Sequence, residues 1–356
     1  MAFAAIMAAM LLSPPEASAC SAGGTVPAVL ADVSCSVNVT GAAISNVGAL
    51  FGTEFAGFKN SLIAGVPDGD ATPIGVWARG FFGSTLSTTR LSATGGAAVI
   101  VDAQKGRLDS RGFQIGADIG RTDIGEWSVH VGVTAGALDA RPDFAPGRSL
   151  TVQVPFAGLY AAAIRDRFHV QSVLQRGFFV GELTDPVFDL AGAKGVGSTF
   201  AWSGSVGWTE RFGAFSVEPT AGFSLSRLSA PAIPVGGGPS GTPAALIAFS
   251  EVRSTLGFVG LRANWDTVAA SLPIRLYGTA TMWNQFEGDN VSVLTCALCG
   301  APIVIRGTRP RNFGEFGLGV AVGSPAPGWV GFVRADAKAG PDIEGWTVTG
   351  GLRRTF

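Results

Sequence analysis

Two histidines and four cysteines are the scarcest reactive side chains in this chain of 356 residues. A Ser/His/Asp hydrolase would have to use His130 or His169. Both fall in stretches of alternating residue type that read as strands, and no G-x-S-x-G elbow precedes a helix. His130 shares the polar side of its strand with Thr134, where it reads as a polar filler. The cysteines form two close pairs, Cys20 with Cys35 and Cys296 with Cys299, which in an exported chain suggests disulfides. Zinc is the rival for the second pair, but both histidines lie far off in sequence. The glycine-rich piece 235–241 follows no strand-to-helix junction and so is no phosphate cradle. No catalytic residue, metal or cofactor is assigned.

The remaining chemistry is charge set into strands. Charged residues are only 14% of the chain, against roughly 25% in an ordinary soluble domain. Glycine, at 51 residues, is about twice its usual share. Hydrophobic residues reach 47%, yet beyond residue 12 no uninterrupted apolar run is long enough for a membrane helix. Low charge with high glycine and hydrophobicity fits strands that face lipid. A net charge of -1 argues against nucleic acid as a partner.

Taken in order, residues 1–19 read as a secretory signal: an apolar stretch, Pro14 and Pro15, then a small-residue cleavage site at Ala17-Ser18-Ala19, without a positively charged start. Cys20 follows, but Ala17 stands where a lipid-attachment motif prefers Leu. Residues 20–41 are small and polar, a short passenger or linker. From residue 42 the period changes: Ile44, Val47, Phe51, Phe55, Phe58 and Leu62 fall on one helical stripe. The segment 42–66 is expected to be a helix of roughly 35 Å, enough to thread a bilayer-deep pore. A surface helix or a membrane-lying amphipathic helix would show the same stripe.

From Ile74 onward the residues alternate with period two almost throughout, and the barrel is expected over residues 71–356. The strands read at 74–83, 110–120, 126–138, 150–164, 168–180, 200–209, 215–225, 251–264, 272–284, 311–323, 328–338 and 345–356, each near the length a tilted strand needs to cross a bilayer. The fold class expected is all-β membrane: a 12-stranded antiparallel transmembrane barrel with an N-terminal α-helix in its lumen. An Arg or Lys at mid-bilayer on the lipid face costs about 2–4 kcal/mol, so charges in strand centres should point inward. Giving the apolar parity to lipid assigns Trp77, Arg79, Asp118, His130, Glu218, Arg275, Glu315, Arg334, Asp336 and Lys338 to the lumen. It also assigns Val152, Val154, Phe156 and Tyr160 to lipid. Arg262 and Arg354 break the parity, and are expected near strand ends, reaching the interface. Connections alternate long and short, which places short turns in the periplasm and long loops outside, with the pair Cys296–Cys299 in an external loop. A rim protease would need histidine or paired acids at the strand ends beside the long loops, and no histidine stands there.

The opening strand Val76-Trp77-Ala78-Arg79-Gly80-Phe81, the helix upstream, about twelve strands and the ending Gly351-Leu352-Arg353-Arg354-Thr355-Phe356 together resemble the autotransporter barrel of type V secretion, over roughly residues 42–356. The resemblance implies a translocator in the outer membrane of a Gram-negative bacterium, with the helix in the pore and Leu352 and Phe356 as the signal read by the barrel-assembly machinery. It further implies periplasmic chaperones and outer-membrane lipid as partners of a monomer. Arg354 stands where the family usually has an aromatic residue. No large β-helical passenger is present, and Asn46 and Asn60 are not followed by the asparagine at which some members are cut. A surface adhesin or a passive outer-membrane pore is the competing function.

Overall fold

A computed structural model describes residues 75–95, 98–143, 149–185, 190–235, 244–287, 290–296, 302–323 and 328–356. The expected signal peptide, short passenger and pore helix lie outside the described residues, as do the side chains of both cysteine pairs.

The strands are β1 (Gly75–Gly95), β2 (Ala98–Ile124), β3 (Trp127–Asp143), β4 (Ser149–Arg165), β5 (Phe168–Asp185), β6 (Leu190–Trp208), β7 (Glu210–Phe212), β8 (Phe215–Ser229), β9 (Ile233–Val235), β10 (Ala245–Phe249), β11 (Val252–Ala269), β12 (Leu272–Gln285), β13 (Asn290–Cys296), β14 (Ile303–Gly307), β15 (Asn312–Gly323), β16 (Trp329–Gly340) and β17 (Ile343–Thr355). Twelve of these form the wall: β1 to β6, β8, β11, β12 and β15 to β17, each antiparallel to the next. The ring closes where β1 pairs with β17, from Gly75 opposite Thr355 to Ser87 opposite Ile343.

One end of the barrel, here the terminal end, carries Gly75, Phe356 and the tight turns after β2, β4, β7 and β11, while the two-residue turn between β16 and β17 lies at the other end. Left-handed backbone at Gly125, Asp166, Gly213, Ala270 and Ser271 makes these two-residue reversals. At the turn preceding β8, Glu210 accepts bonds from Trp208 Nε1 (3.2 Å) and Arg167 Nη1 (2.5 Å). The Trp208 bond first, and then the Arg167 charge, hold this carboxyl below its ordinary range.

The other end, the loop end, is longer than the sequence suggests. β1 and β2 run 21 and 27 residues, well past the 9–11 that suffice for a bilayer. β17 stops at Ile343, opposite Ser87, so the upper edge of β1 would be left unpaired. An open edge of amide groups recruits another strand. β14 takes that edge at Leu91–Thr94, and β13, β10 and β9 add on in turn, building a canopy sheet over the mouth.

The polarity of the wall inverts on the way up. Nearer the terminal end the outward side chains are apolar, among them Ile115, Val131, Val133, Leu159, Leu174, Val206, Val259, Leu261 and Leu318, and the inward ones polar. At the loop end the outward face carries Asp109, Arg111, Asp139, Arg141, Thr151, Gln153, Glu182, Lys194, Arg227 and Arg253, and the inward face turns apolar. Phe81, Leu108, Leu138, Ala140, Leu150, Val152, Val154, Phe156, Phe179, Leu183, Ala201, Leu228 and Val252 form one buried cluster inside the barrel. Ala93, Ile247, Leu294 and Ile305 extend it under the canopy, sharing Leu190, Ile233 and Phe249. This corrects the expectation for β4. Val152, Val154, Phe156 and Tyr160 face inward, while Leu159 faces out. The alternation was real, but much of β4 lies where water rather than lipid covers the outside, so its apolar side turns to the core.

The abundant glycine has a structural use on the inner face. The rings of Trp77, Tyr160 and Tyr277 lie flat across the neighbouring strand at Gly116, Gly132 and Gly319, where a Cβ would collide with the ring. Gly132→Val is therefore expected to destabilise the barrel by about 1–3 kcal/mol. Gly106→Val, where nothing lies within 4 Å of an added Cβ, should leave stability unchanged. Urea unfolding of the refolded protein, followed by tryptophan fluorescence, checks both.

Candidate functional site

The barrel interior below the apolar cluster is the candidate site, and its walls are set by strand parity. Charged and amide side chains on one parity of neighbouring strands are brought within bonding distance by the registers, because cross-strand neighbours sit about 5 Å apart. A buried charge is costly unless it is paired and hydrogen-bonded.

Asp118 is the hub of the terminal end. Its carboxylate accepts from the Tyr160 hydroxyl (2.5 Å), Arg353 Nη2 (2.8 Å) and the Gly75 backbone amide (2.9 Å). Trp77 Nε1 donates to the Tyr160 hydroxyl (3.3 Å), and the two rings sit 6.2 Å apart. Four strands, β1, β2, β4 and β17, are thus tied at the seam where the ring closes. The register of β2 on β3 shifts between Asp118 and Gly120, a bulge that re-aims the side chains beside it.

Farther up, Arg79 Nε donates to Gln114 (2.8 Å), whose amide donates to Thr134 (2.9 Å). On β15 and β16, on the other side of the seam, Arg334 Nε donates to Asp336 (2.6 Å), and Glu315 lies 3.5 Å from Arg334 and 3.8 Å from Lys338. Arg262 stacks 4.3 Å over the Tyr277 ring and donates to Asn264 (2.8 Å), which donates to Ser216 (3.1 Å). His169 sits 3.6 Å from Glu218. His130 is buried, with Ser128 Oγ 3.5 Å from its Nε2. Arg275 pairs with Asp266 at 2.6 Å in a half-open position.

Trp77, Arg79, Asp118, His130, Glu218, Arg334, Asp336 and Lys338 are buried on this inner surface, with Glu315 and Arg275 partly so. Arg262 is corrected: it is buried in the lumen and does not reach an interface, because exposed Val259 and Leu261 fix the opposite parity outside. Arg354 does lie outside, 5.4 Å over the Trp329 ring and 5.0 Å over Phe356. Leu352 and Phe356 are exposed on the outer face. Arg353 and Gln114 are essential members that the sequence reading does not single out, and Tyr160, assigned there to lipid, belongs to the inner network. The parity of β17, with Leu352 outward, already put Arg353 inside.

A long run of polar, internally paired side chains inside a closed antiparallel wall with an apolar outside is the pattern of a membrane-spanning β-barrel. The sequence profile of the autotransporter β-domain matches residues 76–336. The chain belongs to the autotransporter β-domain family. Solved translocators superpose over most of its length. The β-domain of the Bordetella autotransporter BrkA has TM-score 0.55 at 20% identity, covering 81% of this chain and all of that one. The transport unit of AIDA-I from Escherichia coli gives 0.59 at 13%, over 86% and 98%. The translocator domain of NalP from Neisseria meningitidis gives 0.58 at 14%, over 90% and 99%. No curated protein sequence is matched. This autotransporter barrel is an outer-membrane translocator.

Asp118→Ala would strand the Arg353 guanidinium, whose side chain is 4% exposed. The expected cost is about 3–5 kcal/mol by urea titration. Arg90→Ala, which breaks the outlying pair with Asp342 at 3.2 Å, should cost under about 1 kcal/mol.

Proposed function

We propose that this autotransporter barrel stands with its terminal end in the periplasm and its canopy outside, and serves a very short N-terminal passenger, residues 20–41, through the segment 42–66 in its lumen. It acts as a monomer and carries out no catalysis. Exposed Leu352 and Phe356 on the closing strand suit recognition by the barrel-assembly machinery after delivery by periplasmic chaperones.

The observation that carries this reading is the apolar cluster that fills the loop end above the polar chamber. An adhesin or a passive pore would share the wall. A passive pore, however, needs a wetted path through both ends, and inward side chains of β1 to β6, β8 and β11 fill the upper one with hydrocarbon.

Planar-bilayer recording tests the reading. The intact chain should show no steady conductance, and removal of residues 42–66 should add little, because the upper seal remains. Val154→Asp combined with Leu228→Ser, which wets that seal, should add open steps. A large steady channel in the unaltered protein would overturn the reading. Orientation is checked on intact cells with a membrane-impermeant maleimide: Ser149→Cys at the loop end should react, and Ala214→Cys at the opposite turn should not.

A further inference from the structure

Three arginines share one cross-strand row on the outside of the barrel. Arg176 pairs in register with Phe200, Phe200 with Arg227, and Arg227 with Arg253. All four side chains are exposed on the outer face. Strands lie about 4.8 Å apart, so Arg176 and Arg227 stand about 10 Å apart with the Phe200 ring between them. Arg253 is held by Glu251 at 2.6 Å. Arg176 and Arg227 have no carboxylate partner among the described residues, whereas Arg90 and Arg111, also on the outer wall, are paired with Asp342 and Asp139.

Their height matters. Arg176 is eight residues above Phe168, the terminal-end residue of β5, or about 20 Å along the barrel axis for strands tilted about 40°. Arg227 and Arg253 are twelve residues above Phe215 and Trp265, or about 30 Å by the same geometry. The apolar band of such a barrel is about 25 Å tall. By height the row straddles the upper edge of such a band, and above it the outer face is mixed, with Phe178, Val180 and Val196 exposed beside Glu182 and Lys194. A guanidinium there with no carboxylate partner among the described residues faces lipid headgroups, and its planar fork matches the oxygens of a phosphate. The exposed ring of Phe200 offers a flat apolar seat to the adjoining acyl chains.

We propose that Arg176, Phe200 and Arg227, with Arg253 at the margin, form a binding site for the phosphate group of an anionic lipid in the leaflet at the loop end. With the canopy outside, as proposed above, that lipid is a phosphorylated glycolipid of the outer leaflet. Only this assignment of leaflet rests on the proposed orientation, because the contact between guanidinium and phosphate is independent of it.

The test uses the full chain refolded in nanodiscs of zwitterionic phosphatidylcholine. Binding of added bis-phosphorylated lipid A is read by native mass spectrometry and by the shift in thermal midpoint. Lipid A should bind and raise the midpoint, while the same lipid treated with phosphatase, and inorganic phosphate alone, should not. Arg176→Gln with Arg227→Gln should weaken lipid A binding by at least tenfold, the scale of one lost charge-assisted contact. Equal binding of the dephosphorylated lipid overturns the proposal even if the double variant fails to fold. Undiminished binding by a folded double variant, judged by heat modifiability, overturns it as well. A loop end found facing the periplasm by maleimide labelling would instead remove the orientation reading and leave the phosphate contact standing.

Discussion

The pairing of β1 with β17 is the constraint on which the rest depends. In hydrocarbon an unsatisfied amide or carbonyl costs several kcal/mol, so a sheet in a membrane cannot keep an edge. The first and last strands must meet along their whole lipid-facing length, and they do so from Gly75 and Thr355 up to Ser87 and Ile343. Backbone pairing closes the ring but does not by itself set its register. Asp118 adds the side-chain half of the closure: one carboxylate holds the amide of Gly75, at the start of β1, and the guanidinium of Arg353, near the end of β17. Once the ring is closed its inner face is cut off from bulk water, and every charge there needs a partner. The Arg334, Asp336, Glu315 and Lys338 group answers the same demand on β15 and β16, beside the closing strand.

A wall longer than the membrane creates a second problem with a different solution. Above the hydrocarbon, water covers the outside, and the hydrophobic effect drives the apolar parity inward as in a soluble barrel. Each long strand is therefore two strands in series, with opposite rules for which face is apolar. Phe81 and Arg79 show the change within β1: both point inward, one into the hydrophobic cluster and one into the polar network. The canopy follows from the same excess length, since the part of β1 beyond the reach of β17 has to be paired.

This is also why the sequence was legible in some places and not in others. Alternation identified the strands and their number, and inward charges such as Arg79 and Glu218 were readable because neighbours of opposite parity, Phe82 and Phe215, are plainly apolar. The pairing of Asp118 with Arg353 was not readable, because the two lie 235 residues apart and only closure brings them together. β4 was misassigned because a period-two pattern marks two faces without saying which is wet, and the rule used assumed lipid along the whole strand. Arg262 reads as a strand-end exception because the alternation marks a span ending at residue 264, whereas β11 runs on to Ala269. The extra length of β1 and β2 carries no bilayer-sized signal, only a continued alternation broken by the small polar residues of the canopy.

For a translocator the apolar upper core has an energetic consequence. Fully burying a side chain such as Leu, Val or Phe contributes about 1.5–3 kcal/mol, and the main cluster gathers thirteen buried residues from eight strands. Separating them would cost on the order of 20 kcal/mol or more, beyond the few kcal/mol of ordinary local opening. Thermal breathing therefore does not unseal the loop end of the finished barrel. On the proposed reading, passage of a segment through this end precedes the coming together of the inward Leu and Val residues of β2 to β5. The same packing that gives the mature barrel its stability thus separates it physically from a standing pore.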